Sequence, residues 1–199
     1  MIIQPFYNFL NSTLINNTTL ANNAHLSDYY RLMTLIKFGG IYLDDDMILL
    51  QDNYVPFMKS KLPVMGEETQ ASIANGFMIS PPGATIFLRW LLEYEQGYVQ
   101  SPFGVSSVMK IWALWQKYPD EINVQRGTMV RPSFKELRYL FKEYLNWKPS
   151  YNIHLNGRYM AEELKKVGKA LEKLSDIDCI ENTFGEITRQ VLYGNRNLC

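Results

Sequence analysis

The clearest periodicity in the chain lies between residues 27 and 40. Tyr29, Leu32, Met33, Leu35 and Ile36 recur at helical spacing, with Ser27 placed to cap the start of a helix and Gly39-Gly40 placed to end it. The period then changes. Ile41-Tyr42-Leu43 reads as a short strand, stops at Asp44-Asp45-Asp46 and resumes as Met47-Ile48-Leu49-Leu50, so the pattern predicts a buried strand interrupted by an acidic triplet. Further strands are expected at 63–67, 77–80, 122–125 and 151–155, with helices near 84–94, 105–117, 134–145 and 159–174. Residues 1–24 form a polar, Asn-rich lead-in with room for two short helices. Strands alternating with helices predict an α/β domain. No repeat, low-complexity tract or Pro/Gly-rich linker divides the sequence, so a single domain over 1–199 is expected, with a helical tail at 161–199.

Composition narrows the partners. Lys plus Arg and Asp plus Glu each number 20, giving a formal charge of zero, so no global field draws the protein to nucleic acid or an anionic membrane. Any phosphate it binds must be held locally. No run of about 18 apolar residues predicts a membrane span, and the opening residues show neither a basic nor an apolar leader region. Sequons begin at Asn11, Asn16 and Asn17 and lean weakly toward a secretory address. The two cysteines, Cys179 and Cys199, fit either one disulfide or two free thiols.

The acidic triplet carries the chemistry. A carboxylate at the end of an apolar strand is partly desolvated and repelled by its neighbours, so ionised Asp44 and Asp46 need a cation or strong donors nearby. Alternation along an extended chain points Asp44 and Asp46 to one side and Asp45 to the other. Two hard oxygen ligands on one face suit Mn²⁺ or Mg²⁺ and leave positions open for water and a diphosphate. Such an ion stabilises the charge that builds on a diphosphate leaving group. Alone, an Asp-X-Asp is more often a solvated acidic turn. Asp28 and Arg31, three apart on one helix face, have groups suited to sugar hydroxyls and phosphate oxygens, and read equally as a helical ion pair.

Ser27-Asp28-Tyr29-Tyr30-Arg31, followed by Lys37-Phe38-Gly39-Gly40-Ile41-Tyr42-Leu43-Asp44-Asp45-Asp46, resembles the signature of the sugar transferases that share a DXD-containing sugar-binding region. These include the eukaryotic glycosyltransferase family thirty-two and the glucosyltransferase domains of large clostridial toxins. The resemblance implies a GT-A-like nucleotide-diphospho-sugar transferase fold, a donor that is a nucleotide sugar (UDP-sugar above all) and transfer with retention to a glycan, lipid or protein acceptor. It implies that Asp28 and Arg31 contact the donor, with Gly39, Gly40 and Asp45 counted to the binding region, that Asp46 is a direct ligand of Mn²⁺ or Mg²⁺, and that Asp44 is a ligand of the same ion or a ribose contact. More faintly it runs on through Asn75-Gly76-Phe77-Met78-Ile79-Ser80, where Asn75 approaches the reacting sugar, and Tyr151-Asn152-Ile153-His154-Leu155, where His154 meets diphosphate or metal. Asn75 also reads as a turn cap and His154 as a core histidine. The resemblance spans roughly residues 20–160, and only 26 residues precede the signature where the family has about a hundred, so part of the nucleotide-binding half is expected to be missing. A Golgi or secretory location goes with an anchored form, a cytoplasmic one with its absence.

Two readings compete with a transferase. One is a non-catalytic metal- and nucleotide-binding module of the same fold. The other is a phosphatase whose strand ends in a nucleophilic Asp-X-Asp. It needs a second acidic pair at strand ends, and beyond Asp52 the aspartates are Asp120, Asp176 and Asp178, the close pair lying in the weakly patterned tail.

Overall fold

The computed structural model describes residues 14–15, 18–20, 23–102, 104–133, 136–166 and 174–194. The three sequons at Asn11, Asn16 and Asn17 and the second cysteine, Cys199, involve positions outside this set.

The architecture is mixed α/β. Helix α1, Asn23–Phe38, leads into strand β3, Gly40–Leu43, which pairs antiparallel with the long strand β6, Ser72–Ser80. Strand β5, Val64–Thr69, forms a hairpin with β6 and lies parallel to β7, Asn123–Gln125, giving the mixed sheet order β3-β6-β5-β7. A separate antiparallel pair joins β4, Met47–Leu49, to β8, Asn152–His154. A short ladder joins β1, Leu14–Ile15, to β2, Thr18–Thr19, in place of helix within the described part of the lead-in.

Strand β6 is apolar on both sides because both sides are covered. One face sends Met78 and Ile73 into a core with Leu32 and Leu35 of α1, Phe87 and Trp90 of α3 (Thr85–Gly97), and Ile111 and Leu114 of α4 (Val108–Lys117). The other sends Phe77 and Ile79 against Tyr54, just before the short helix α2 (Val55–Met58), and against Met129 and Val130. The end of the chain supplies its own cluster: Leu140 and Phe141 of α5 (Leu137–Phe141) and Phe184 and Ile187 of α7 (Thr183–Tyr193) close on Ile153 of β8. That packing fixes the strand carrying His154.

Four expectations change. Helix α1 begins at Asn23, and Ser27 lies inside it, where its hydroxyl accepts from Arg31 rather than capping an end. The glycines do end it: Gly39 takes φ +64, its N–H bonds Leu35, and Gly83 N–H bonds the Ile36 carbonyl. Strand β3 is an edge strand with Ile41 and Leu43 exposed, not a buried one. Its short apolar run reflects a single sheet neighbour, a property that local pattern does not encode. Of the helix expected at 134–145 the described residues form α5 over Leu137–Phe141, with residues 134 and 135 outside the described set, and that expected at 159–174 starts at Gly157 as α6, Gly157–Lys166, with residues 167–173 outside the described set.

Candidate functional site

The acidic triplet is the turn by which the chain leaves one sheet for the other. Asp44 N–H donates to the Gly76 carbonyl as the last rung beside β6, Met47 N–H closes back on the Asp44 carbonyl at 3.3 Å, and β4 departs to pair with β8. Asp44 and Asp46 therefore converge through a turn and not through the alternation of an extended strand, while Asp45 faces solvent. Pairing of Met47 with His154 brings the imidazole to the same place.

Each aspartate has one oxygen committed and one turned inward. Asp44 Oδ1 accepts from the Tyr42 hydroxyl at 2.6 Å and lies 3.3 Å from Arg31 Nη2, while its Oδ2 lies 3.9 Å from His154 Nε2. Asp46 Oδ2 accepts from Gly157 N–H at 2.7 Å, in the first turn of α6, while its Oδ1 lies 3.1 Å from His154 Nε2. Ligand atoms from Asp44, Asp46 and His154 all fall within 4.8 Å of one another. Two carboxylate oxygens and one imidazole nitrogen form a donor set that suits a borderline-hard divalent ion such as Mn²⁺ and leaves coordination positions free.

The electrostatics agree with a cluster that wants positive charge. The hydrogen bond from His154 holds the Asp46 carboxyl below its usual range, assisted by Gly157 N–H and opposed by burial. At His154 burial alone would lower the pKa. Its hydrogen bond to Asp46 and the charges of Asp46, Asp44 and Glu68 outweigh this and raise it. Gly76 completes the arrangement by having no side chain: a Cβ there would stand 2.7 Å from Asp44 Oδ2 and 3.1 Å from His154 Cε1.

Behind the cluster lies a saturated polar hub. Arg31 is 6% exposed, donates from Nη1 to the Asn75 carbonyl at 2.8 Å and from Nη2 to Ser27 Oγ at 2.8 Å, approaches Asp28 at 3.4 Å, and stacks on the Tyr42 ring at 4.4 Å. Asp28 accepts from Asn75 Nδ2 at 2.7 Å. Burial lifts the Asp28 carboxyl above its usual range, against the opposing charge of Arg31 and the hydrogen bond from Asn75. Asn75 reaches both residues because β6 bulges: Met65 pairs with Met78, yet the next residue, Gly66, pairs with Ala74, so Asn75, Gly76 and Phe77 arch out of register toward the turn.

The structure thus gathers Asp28, Arg31, Asp44, Asp46, Asn75 and His154. Gly39 and Gly40 stand apart from them: Gly40 pairs with Ser80, at the opposite end of β3 from Asp44. A Cβ on Gly39 would meet Pro82 N at 2.7 Å, which gives that glycine a packing reason of its own. Tyr42 and Gly76 were not singled out from sequence. Tyr42, two residues before Asp44, carried a signal in its same-face spacing, whereas Gly76 carried none without the sheet register. Glu68, whose charge acts on His154, was missed as well.

Residues 3–68 match the family described as glycosyltransferase sugar-binding region containing DXD motif, a stretch that encloses the whole signature from Ser27 to Asp46. Over that stretch the chain is similar to the glycosyltransferase sugar-binding region. It is also similar to glucan organizing enzyme 1 of Cryptococcus neoformans var. grubii serotype A (strain H99), 28% identical over 113 residues, which cover 53% of this chain and 31% of that protein. The chain thus matches about a third of that relative's length. No solved structure matches. No helix among the described residues is long and apolar enough to cross a membrane.

Proposed function

We propose that this chain is a metal-dependent glycosyltransferase domain of GT-A type, which moves a sugar from a nucleotide-diphospho-sugar, UDP-sugar in the first instance, to an acceptor hydroxyl with retention. The observation that supports it most is the convergence of one free oxygen each from Asp44 and Asp46 on His154. Those three residues would hold Mn²⁺ or Mg²⁺, and a bound ion supplies Lewis-acid stabilisation of the diphosphate as it leaves. In the transfer, the bond from the anomeric carbon to the diphosphate oxygen breaks, a bond to the acceptor oxygen forms, and the acceptor proton passes to the departing diphosphate. Arg31 and Tyr42 fix one oxygen of Asp44 so that the other would be presented to an ion, and Asp28 holds Asn75 beside the same cluster. Pre-organisation of this kind is how a buried polar network contributes to catalysis.

The location that goes with this reading is the secretory pathway. It is supported by Cys179, which is disulfide-bonded, as expected of a protein matured in an oxidising compartment.

A second reading is favoured by the saturation of Arg31 and Asp28 by the chain's own groups: a module that binds metal and nucleotide without turnover. Titration of the purified chain with UDP in Mn²⁺, followed by assay of UDP-sugar hydrolysis, separates the two. Binding and hydrolysis, both lost in Asp46→Ala, support the transferase. Binding without hydrolysis of any donor supports the module, and absence of binding removes both.

A further inference from the structure

One residue of the signature has lost the role that its sequence position suggested. Ser27 lies inside α1, which begins at Asn23, so its hydroxyl caps no end. Within a helix serine is a poorer former than alanine, which leaves its hydroxyl in need of another reason. That hydroxyl reaches out of the helix: Ser27 Oγ accepts from Arg31 Nη2 at 2.8 Å and lies 3.3 Å from the Tyr42 hydroxyl on β3.

The chemistry of the groups on either side sets the direction of each proton. A guanidinium only donates, so Arg31 occupies a lone pair of Ser27 Oγ and leaves the serine hydrogen for Tyr42. A carboxylate only accepts, so the Tyr42 hydroxyl gives its own hydrogen to Asp44 Oδ1 at 2.6 Å and receives the serine hydrogen on its oxygen. The result is a one-way chain from Arg31 through Ser27 and Tyr42 to Asp44, and hydrogen bonds aligned in this way strengthen one another. Arg31 also closes the circuit, with Nη2 3.3 Å from Asp44 Oδ1 and its guanidinium 4.4 Å from the centre of the Tyr42 ring. The chain ends on one oxygen of Asp44, while the other, Oδ2, lies 3.9 Å from His154 Nε2.

We propose that Ser27 is a positioning residue for the metal cluster: its hydroxyl sets Tyr42 as a donor to Asp44 Oδ1, and so holds the second oxygen of that carboxylate in place for a divalent ion. The inference rests on the metal-dependent reading of the cluster and adds to it a residue that acts through another side chain. Partners of this outer kind orient a ligand and tune its grip on the ion.

Calorimetric titration of the full chain with Mn²⁺ tests it in wild type, Ser27→Ala, Ser27→Thr, Tyr42→Phe and the double variant Ser27→Ala/Tyr42→Phe. Ser27→Ala should weaken Mn²⁺ binding about fivefold, the loss of one hydrogen bond between neutral groups. Ser27→Thr keeps the hydroxyl and should return the affinity to the wild-type value. Tyr42→Phe should weaken binding at least as much as Ser27→Ala, and adding Ser27→Ala to it should have no further effect, because the link through which Ser27 acts is gone. A serine that served only its helix would behave differently: Ser27→Ala would raise the melting temperature and leave Mn²⁺ affinity as it was. That outcome overturns the assignment, as does equal weakening by Ser27→Ala in the wild-type and Tyr42→Phe backgrounds, and both leave the metal cluster standing. A wild type that does not bind Mn²⁺ removes the cluster and this role with it.

Discussion

Arg31 Nη2 lies 3.3 Å from Asp44 Oδ1 while Arg31 Nη1 donates to the Asn75 carbonyl at 2.8 Å, so one guanidinium ties the acidic turn to the bulge of β6. The planar fork spans both at once, which the single ammonium of lysine cannot do. Arg31→Lys should therefore cost about 3 kcal/mol, since it leaves carboxylates and a carbonyl short of partners in a buried place. Urea denaturation monitored by circular dichroism checks the loss, and an unchanged midpoint would show that the hub is not structural.

Gly76 offers a sharper probe of the metal cluster. An added methyl would sit 2.7 Å from Asp44 Oδ2, the oxygen that remains free for an ion. Gly76→Ala should weaken Mn²⁺ binding by about tenfold or more, in the range found when the surroundings of a metal ligand are disturbed. Calorimetric titration with Mn²⁺ reads this directly. Gly83→Ala, with open space at its Cβ but the same left-handed strain as any residue at φ +69, should leave Mn²⁺ affinity unchanged.

Asp46 has two jobs that substitution can separate. Its Oδ2 satisfies Gly157 N–H in the first turn of α6, and its Oδ1 faces His154. Asp46→Asn keeps an acceptor for the N–H and should retain most of the stability, whereas Asp46→Ala should lose about 1 kcal/mol, the usual cost of removing a helix cap. Both should abolish Mn²⁺ binding. Thermal unfolding alongside Mn²⁺ titration gives the contrast.

Tyr29 predicts the alkaline limb of stability. Burial, then the hydrogen bond its hydroxyl gives to Glu95, pushes its pKa from 10.0 to about 12. A folded-state pKa above the unfolded one means the native chain holds the proton longer, so this stabilisation is complete below pH 10 and is lost as pH rises toward 12. Tyr29→Phe should flatten the fall of the unfolding free energy across that window. Denaturation curves collected through it would show an unchanged slope if Tyr29 were not responsible.

Much of the site was legible in the sequence, and its limits are physical. The helix through Leu32 and Leu35, the glycine stop and the two short strands around the triplet are local features, and periodicity reads local features well. The convergence of Asp44 and Asp46 was anticipated from strand alternation, but a turn between two sheets produces it. The edge position of β3, the arch at Asn75–Phe77 and the bulge at Glu68 depend on register with distant strands, which no local window contains. The self-repelling triplet expected from the sequence is not what the fold presents. Tyr42, Arg31, Gly157 and His154 each meet one of its oxygens, so neutralising an aspartate removes a partner instead of relieving strain.

The bond from Gly157 to Asp46 has a mechanical meaning. The side chain that would grip an ion also steadies the first turn of a helix whose preceding strand is wedged against α5 and α7 through Ile153. Acidic cluster and carboxy-terminal third thereby share one side chain, so whatever displaces this carboxylate also removes an acceptor from the helix start.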